Sequence, residues 1–418
     1  MQKSKYLHKS QFRIKPSDFT RKRCFSFKSL SLFIISSIQS SIQRELDRFF
    51  MAYNNKELSE QFVSQSAFSQ ARMKIKPEAF KELADDATQY FYDHYNAKKW
   101  NGFRLVAIDG SEALLPKNEA TIGEYGEYTT NFMDKTIVLV RLSKAYDVLN
   151  EISIDARLCN RKTGEHSLAN QHLSALGPGD LLLLDRGYPS FDLFKNTLAA
   201  GCHFCVRVAV SNWNLAKELV ESGQKEIIAE INPGRELKRK YKKQNIDYKP
   251  IKCRFICIEL PSGEKEVLIT SLTDLGKYPY ELFQELYHLR WGVEESFKKD
   301  KHRLQLENFS GTSPRAILQD FNANILLGNI TAILCSGMEK EINEKRKNTK
   351  YRYKINIITA LSKVRETMAL LFSRIDISVL LERLCDMFLS NVLPVRPGRG
   401  FPRNKGKRKR YYRTYTAL

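Results

Sequence analysis

Long apolar runs are missing from this 418-residue sequence. The most apolar early stretch, SLSLFIISSI at residues 29–38, contains four serines and is shorter than the roughly 20 residues that a helix needs to cross a bilayer. We therefore expect a buried helix there and no membrane partner. The basic N-terminus lacks an apolar segment followed by a small-residue cleavage site, so no secretory signal is predicted and a cytoplasmic protein is expected.

Closely spaced cysteines are few. The eight cysteines are scattered, and the close pairs are Cys202 with Cys205 and Cys253 with Cys257, both in apolar, strand-like runs. A zinc site would require the two pairs to converge in space. Ordinary buried thiols in a reducing compartment explain them without a metal, and this interpretation is favoured.

Acidic residues are too few to balance the basic ones, and the formal net charge is +21. Residues 1–28 hold nine Lys or Arg and one acid, residues 235–254 hold nine and two, and residues 396–413 hold nine and none. Residues 101–209 instead hold 11 basic residues and 13 acids. One basic segment alone would suggest only a solvated surface. Three of them around a slightly acidic centre favour a polyanionic partner, with nucleic acid as the first candidate.

The centre of the chain alternates between apolar strands and helices. RLVAID at residues 104–109, a hairpin over residues 135–157, a helix, LLLLD at residues 181–185, a second helix and a last strand predict the order β-β-β-α-β-α-β. Such alternation predicts an α/β fold with a mixed sheet covered on both faces. Asp109 and Asp185 are each expected to end a strand, where the ligands of these sheets gather.

A later segment, YHLRWGVEESFKKDK at residues 287–301, reads as one helix. At about 100° per residue, four polar residues fall within a stripe about 60° wide: Tyr287, Arg290, Glu294 and Lys301. An adjacent apolar stripe would pack the helix on the sheet. An exposed ion pair between Arg290 and Glu294 would explain only two of the four residues. The whole stripe predicts a functional face.

Three carboxylates at one edge of a sheet suit a divalent metal site. Asp109, Asp185 and Glu294 would offer the hard oxygen ligands that Mg²⁺ prefers. Two ions about 4 Å apart can activate a nucleophile and stabilise the leaving oxygen when a phosphodiester bond is exchanged. The basic residues of the stripe would hold phosphates beside the metal, and its tyrosine would donate a hydrogen bond or stack.

The spacing Y-x2-R-x3-E-x6-K resembles the signature of the DDE transposases of bacterial insertion sequences, in the subgroup named for that motif. AIDGSE and LLDRGYPS, which contain Asp109 and Asp185, resemble the two aspartate motifs of that family. The element order, with a β insertion before the last helix, resembles its ribonuclease-H-like core. The similarity spans roughly residues 100–335.

The resemblance implies catalytic and metal-binding roles for Asp109, Asp185 and Glu294, with two Mg²⁺ ions that Mn²⁺ can replace. It implies cleavage of double-stranded DNA at the terminal inverted repeats of the element and joining of the freed 3′ ends to target DNA. It also implies a homodimer in the synaptic complex and a bacterial protein associated with the nucleoid. Tyr287, Arg290 and Lys301 are then expected to bind DNA.

The remaining regions are assigned around this core. We expect a helical N-terminal DNA-binding region (1–100), the first part of the core (101–209), a β-rich insertion subdomain with a basic loop (210–271), the catalytic helix and end of the core (272–337), a C-terminal helical region (338–392) and a basic tail (393–418). Residues 57–75 predict two short helices, of which the second would present Arg72 and Lys74 to bases or phosphates. A plain helical scaffold explains that segment equally well.

Two other functions fit the same residues. A structure-selective nuclease of the same fold would share the three carboxylates and would cut DNA without joining it. A non-catalytic DNA-binding protein descended from a transposase has no reason to keep three costly charges together. Strand-transfer products would therefore favour the transposase.

Overall fold

The computed structural model describes residues 10–21, 23–36, 38, 40–56, 61–129, 136–260, 263–302, 306–373 and 377–396. The chain divides into two compact units. The sheet unit comprises residues 96–111 and 141–297, and the helical unit comprises residues 1–95, 112–140 and 298–418. The N- and C-terminal regions, which were assigned separately from the sequence, therefore belong to one unit.

One mixed sheet contains nine of the strands formed by the described residues. They are β1 (Arg104–Leu115), β2 (Tyr128–Thr129), β3 (Thr136–Asp147), β4 (Ile152–Asn160), β5 (Asp180–Leu184), β6 (His203–Val208), β7 (Glu226–Ile231), β8 (Ile251–Glu259) and β9 (Lys265–Thr270). The strand order is β2-β3-β1-β5-β6-β9-β8-β7, with β4 paired to β3. Strands β1, β5 and β6 are parallel, whereas β6, β9, β8 and β7 pair antiparallel in turn. A separate two-stranded sheet pairs β10 (Arg352–Ile355) antiparallel with β11 (Val392–Val395).

The helices of the described residues are α1 (Phe27–Ile35), α2 (Ile42–Tyr53), α3 (Gln65–Arg72), α4 (Glu78–His94), α5 (Glu119–Tyr125), α6 (Glu165–His172), α7 (Phe191–Ala199), α8 (Asn214–Ser222), α9 (Arg235–Lys243), α10 (Leu282–His288), α11 (Trp291–His302), α12 (Pro314–Cys335), α13 (Met338–Glu344), α14 (Ile357–Ser373) and α15 (Ser378–Ser390). Helices α6 to α10 lie in the sheet unit, and α11 begins there.

The predicted element order is confirmed. Strands β1, β3 and β4, helix α6, strand β5, helix α7 and strand β6 follow one another as β-β-β-α-β-α-β, with α5 and β2 added between β1 and β3. In space they run β4-β3-β1-β5-β6, which is the strand order of a ribonuclease-H-like core. Strand β5 is buried along its whole length, as its unbroken apolar sequence predicts. Against this sheet, the Phe194 ring of α7 stacks on the Phe204 ring of β6 at 4.2 Å between centroids.

The insertion at residues 210–271 differs from its prediction in two ways. Strands β7, β8 and β9 are present, but they extend the main sheet from β6 and form no separate subdomain. The basic segment predicted as a loop is helix α9. It is helical because Leu237 and Tyr241, one turn apart, pack against the apolar core of the sheet unit.

The closely spaced cysteines lie at strands of this sheet. Cys205 lies in β6, and Cys202 is the residue directly before that strand. Cys253 and Cys257 lie in β8. All four are buried free thiols.

The helical unit contains the apolar segment at residues 29–38. Its helix, α1, is buried at eight of nine positions, which confirms the predicted buried helix. The later helix α12 begins at a capped start, with Ser313 accepting a hydrogen bond from the Ala316 N–H and Pro314 in the first turn. No single helix in the described part of the chain is long and apolar enough to span a membrane. Only α12 and α13 taken together, across a 43° bend, meet the length and composition required.

The predicted helix pair at residues 57–75 is a single helix where it is described. Residues 57–60 lie outside the described residues, and residues 61–64 are not helical. Ser64 instead caps α3 by accepting a hydrogen bond from the Ala67 N–H. Serine at this position therefore begins the one helix of this segment that the structure describes.

Arg72, the last residue of α3, joins that helix to α12 and the loop before it. Only 2% of Arg72 is exposed. Its guanidinium donates to the Ala316 carbonyl at 3.0 Å and to three side chains: Gln319 at 3.0 Å, Ser310 at 2.7 Å and Asp320 at 2.7 Å. The DNA contact predicted for Arg72 is thus replaced by a structural role, because a guanidinium engaged within the protein cannot reach a phosphate.

Removing the Arg72 guanidinium should destabilise the protein strongly. Arg72→Ala leaves the largely buried carboxylate of Asp320 without its cation, with Ser310 as its remaining hydrogen-bond donor, and we expect the free energy of unfolding to fall by about 3–5 kcal/mol. Lys81→Ala, which breaks an exposed ion pair with Asp85 on α4, should change it by less than about 1 kcal/mol. Urea unfolding followed by circular dichroism measures both. Similar midpoints for Arg72→Ala and the wild type would contradict the structural role.

Candidate active site

Two aspartates lie side by side where the parallel strands β1 and β5 stop pairing. The last pair in the register is Ala107 with Leu183. Two residues further along each strand, on the same face, come Asp109 and Asp185. Adjacent strands are about 4.8 Å apart, so the two carboxylates are close neighbours. The register of β1 and β5 therefore brings the two acids together, as the sequence predicted.

Asp109 does not end its strand, contrary to the prediction. Strand β1 continues to Leu115 because β3 still flanks it after β5 has ended. A Cβ atom at Gly110 would lie 3.6 Å from the Leu142 carbonyl oxygen of β3. The aspartate therefore lies within β1, at the end of its pairing with β5.

Asp109 is the most perturbed acid of the group. Burial raises its pKa to about 6, helped by the charges of Glu294 and Asp185 and opposed by the Gly110 N–H and the Arg290 charge. The Gly110 N–H donates to its Oδ1 at 2.8 Å. Asp109 forms no ion pair with the described residues, so ionising it costs more than ionising an exposed aspartate.

Asp185 is compensated by cations. Burial acts to raise its pKa, but the Arg186 N–H and the guanidiniums of Arg207 and Arg290 outweigh burial, and the pKa is lowered. Arg207 of β6 approaches Asp185 Oδ1 to 2.7 Å. Arg207 also pairs with Glu266 of β9. The second aspartate is thus oriented by the neighbouring strand.

Glu294 of α11 pairs with Arg290. The guanidinium Nη2 lies 2.8 Å from Glu294 Oε1 and stacks near the Trp291 ring, 5.3 Å from its centroid. Only 2% of Arg290 is exposed, and its Nε has no hydrogen-bond partner among the described residues. The charges of Arg290, Asp185 and Asp109 also act on one another. A buried cation therefore lies among the three acids and offsets their repulsion.

The Y-R-E-K segment is two helices, not the single helix predicted. Helix α10 ends at His288 and α11 begins at Trp291. Between them the Arg290 N–H bonds the Tyr287 carbonyl, and the Gly292 N–H bonds the Leu289 carbonyl, which are the tighter three-residue steps of a 3₁₀ turn. The 60° stripe is therefore not the geometry that unites these residues.

Tyr287 nevertheless reaches the site from α10. Its hydroxyl lies 3.2 Å from the Leu184 carbonyl oxygen and 3.4 Å from Asp185 Oδ1, and it can donate to either. Burial raises its pKa, so the hydroxyl stays a proton donor at neutral pH. It is 4% exposed.

Two contacts hold the start of α11 in place. The Lys144 ammonium of β3 donates to the Ser296 hydroxyl at 2.8 Å, and both side chains are buried. A Cβ atom at Gly292 would lie 3.1 Å from the Val148 side chain, so glycine allows this close approach without displacing Val148. These contacts fix where Glu294 projects.

Glu165 and Tyr188 also belong to the site but were not predicted. A Cβ atom at Gly110 would lie 3.5 Å from Glu165 Oε1, and one at Gly187 would lie 3.7 Å from Oε2. The Tyr188 hydroxyl is buried without a hydrogen-bond partner among the described residues, and its pKa is raised by burial, then by the Asp109 and Glu165 charges. The glycines within the two aspartate motifs, Gly110 and Gly187, were the available signal, because small residues leave room for a neighbouring carboxylate.

The two lysines of the predicted site lie in the helical unit. The Lys301 ammonium donates to the Glu112 carbonyl of β1. Lys74 follows α3 and is half-buried, and its carbonyl accepts from the Ile14 N–H. Neither lysine is in the sheet unit, where the acids lie.

The donor set of the site fits a hard divalent cation by charge and by atom type. Carboxylate oxygens of Asp109, Asp185 and Glu294 are the ligands that such cations prefer. Among the described residues, no three His, Cys, Asp or Glu side chains lie close enough to hold one ion together. Two of the three acids are engaged by arginines, and Asp109 is the carboxylate that a cation would stabilise most.

The strand order and the paired aspartates define a ribonuclease-H-like protein. A family model described as "Transposase DDE domain" matches residues 100–330, which is more than half of the chain. The chain belongs to the transposase DDE domain family. Transposases of this family act with divalent metal ions.

A bacterial transposase is similar to the chain in sequence. The chain is 22% identical over 271 residues to the transposase InsG for insertion sequence element IS4 of Escherichia coli strain K12. This match covers 64% of the chain and 60% of the relative, so the chain spans less than two thirds of the length of that protein. A cryo-EM structure of the piggyBac transposase synaptic complex with hairpin DNA matches with a TM-score of 0.41 and 12% identity, over 93% of this chain and 81% of that one. A TM-score this low supports no argument.

The raised pKa of Asp109 predicts a pH-dependent cost to folding. The folded protein holds this proton more tightly than the unfolded chain, so the free energy of unfolding should fall as pH rises from about 4 through about 6. Asp109→Asn removes that fall. With EDTA present to remove divalent ions, Asp109→Asn should raise the free energy of unfolding above pH 7 by at most about 3 kcal/mol. The gain should be smaller than this limit because the side chain is partly exposed. Below pH 4 the substitution should change nothing.

The matched control is Glu295→Gln, an equally conservative change at an exposed position beside the site. Urea unfolding at pH 4, 6 and 8 compares both variants with the wild type. Parallel curves for Asp109→Asn and wild type across this range would contradict the raised pKa.

Proposed function

We propose that the chain is the transposase of an insertion sequence. It binds the terminal inverted repeats, cleaves phosphodiester bonds there and joins the 3′ ends to target DNA. The observation that carries this proposal is the placement of Asp109 beside Asp185, with the Glu294 charge acting on the same acid. The family match supports it, and so does the name of the InsG relative, a transposase of an insertion sequence.

Asp109, Asp185 and Glu294 would hold the divalent ions, which we take to be two Mg²⁺ replaceable by Mn²⁺. Ions held there would supply activation of a water or 3′-hydroxyl and stabilisation of the leaving oxygen. The protein itself supplies the orientation: Arg207 fixes Asp185, and Arg290 fixes Glu294.

The DNA contacts are divided by burial. Tyr287 and Arg290 were predicted to bind DNA, but their low exposure and their bonds to the acids favour positioning roles. Lys301 and Lys74 remain proposed contacts to DNA phosphates, since ammonium groups suit that role. The substrate is double-stranded DNA, and the active species is a homodimer in the synaptic complex. Assignment to the Y-R-E-K subgroup also stays a prediction.

Loss of any of the three carboxylates should abolish cleavage. Asp109→Asn, Asp185→Asn and Glu294→Gln each remove a metal ligand and should slow cleavage by more than about 100-fold, with DNA binding retained. Glu295→Gln should change the rate by less than about threefold. The substrate is a duplex carrying the inverted repeat that flanks the coding sequence, and products are followed on sequencing gels. Equal loss in Glu294→Gln and Glu295→Gln would contradict the site.

The same gels separate transposase from nuclease. Products in which the cleaved 3′ end is joined to a supercoiled target identify a transposase. Efficient cleavage without any joined product would identify the structure-selective nuclease instead.

Arg290 and Lys301 should respond differently to metal. Arg290→Gln removes a positive charge beside the acids, so we expect a lower half-saturating Mn²⁺ concentration. It also removes the contact that orients the acids, so the maximal cleavage rate should be about 10–100-fold lower. Lys301→Gln should leave the half-saturating concentration unchanged and weaken binding of precleaved ends. Cleavage against Mn²⁺ concentration and filter binding of the ends measure these effects. Rescue of Lys301→Gln by excess Mn²⁺, with end binding intact, would contradict its phosphate role.

A further inference from the structure

Helix α9 has two opposite faces. Leu237 and Tyr241, one turn apart, face the core of the sheet unit. At about 100° per residue, five exposed cations occupy an arc of about 140° on the opposite side: Arg235, Lys238, Arg239, Lys242 and Lys243. We call these five residues the α9 basic face. Its acidic neighbour Glu236 lies on the flank of the helix.

The buried side of α9 is firmly attached. The Tyr241 hydroxyl donates to Asp192 of α7, and its ring contacts the Phe191 and Tyr248 rings at 6.4 and 5.6 Å between centroids. The Lys195 ammonium lies 4.6 Å from the Tyr241 ring centroid. Because α9 is tied to the sheet unit through this tyrosine, the basic face has a defined orientation.

The cations of the basic face have no acidic partners among the described residues. The nearby Lys240, outside the face, is the one that approaches Asp192, at 4.0 Å. Some exposed cations elsewhere are paired, as in Lys345 with Glu341 at 2.7 Å and Lys340 with Glu344 at 3.9 Å. Five like charges within one short helix repel one another, and nothing in the fold requires them there. Such a face is stabilised by an external polyanion.

The positive surface continues beyond the helix. An open groove of about 470 Å³ lies beside the segment that follows α9, and its lining includes three lysines, Lys195, Lys249 and Lys252, with one acid, Asp247. Lys195 also contacts the ring of Tyr241, so groove and helix are contiguous.

We propose that the α9 basic face binds the phosphate backbone of duplex DNA without reading its sequence. This rests on the proposed function, which makes DNA the partner. From Arg235 to Lys243 the helix rises about 12 Å, and the phosphates of one strand follow one another about every 3.4 Å along the duplex axis, so the face is long enough to reach at least two or three of them. The face contains only Arg and Lys, which provide charge and no apolar surface for insertion into a membrane.

The first test is the salt dependence of binding. In the full-length protein all five residues of the α9 basic face are changed to Gln, and the dissociation constant for a duplex of arbitrary sequence is measured between 50 and 300 mM KCl. Losing two or three phosphate contacts should reduce the slope of log K against log salt by about two to three. An unchanged slope would overturn the proposal.

The control carries the same change in charge at another surface. Gln replaces five exposed cations around α13 and β10: Lys340, Lys345, Lys347, Lys350 and Arg352. An equal drop in slope in this variant would mean that net charge alone acts, and the proposal would fail. If polyglutamate displaced DNA from the wild type at equal charge concentration, the face would belong to an acidic protein instead, which also overturns it.

A second measurement uses the wild-type protein and does not depend on folding of a variant. Surface lysines are acetylated with and without duplex DNA and mapped by mass spectrometry. DNA should protect Lys238, Lys242 and Lys243 several-fold, while Lys340, whose side chain is 86% exposed, stays reactive. Equal acetylation of the three lysines with and without DNA would overturn the proposal.

Failure of this proposal can be told from failure of the proposed function. Suppose the wild type cleaves and joins repeat ends, but the α9 variant binds DNA with the wild-type salt slope. That result refutes only the role of the α9 basic face. If DNA protects the three lysines but the protein never cleaves any repeat-bearing duplex, only the transposase activity is refuted.

Discussion

The parallel pairing of β1 with β5 is the constraint on which the candidate site depends. Backbone hydrogen bonds between the two strands place Asp109 beside Asp185, although the two negative charges repel each other. Burial, helped by the repulsion that results, raises the pKa of Asp109 to about 6. Arg207 and Arg290 limit that repulsion on the remaining acids. The sheet thus imposes an unfavourable charge arrangement, which is characteristic of sites built for a ligand.

The strand order and the placement of Asp109 beside Asp185 could be predicted because both follow from local properties of the sequence. Apolar runs of four or five residues specify buried strands, and each aspartate follows its run directly. What the pattern missed depends on distant neighbours. Strand β1 continues beyond Asp109 because β3 flanks it. The helix predicted over residues 287–301 breaks between His288 and Trp291, and Gly292 packs against Val148 directly after this break. Helical periodicity cannot report a contact with another strand.

Charge was the least predictable feature, because a basic side chain has the same letter whether it is buried or exposed. Arg72 is buried because its partners lie at residues 310–320, about 240 positions away in the chain. Glu165 reaches Gly110 from a helix that has no motif of its own. In α9, six Lys or Arg in nine residues conceal the one-turn spacing of Leu237 and Tyr241 that makes the segment helical.

The net charge of +21 therefore overstates the surface offered to DNA. Arg72, Arg254 and Arg290 are each at most 2% exposed and paired with internal acids, a role that suits the planar, forked guanidinium. Cations already neutralised inside the fold release no counterions from DNA and add nothing to the salt dependence of binding. Affinity for a phosphate backbone must come from exposed, unpaired cations. In the described part of the sheet unit, the α9 basic face concentrates them where the fold itself has no use for the charge.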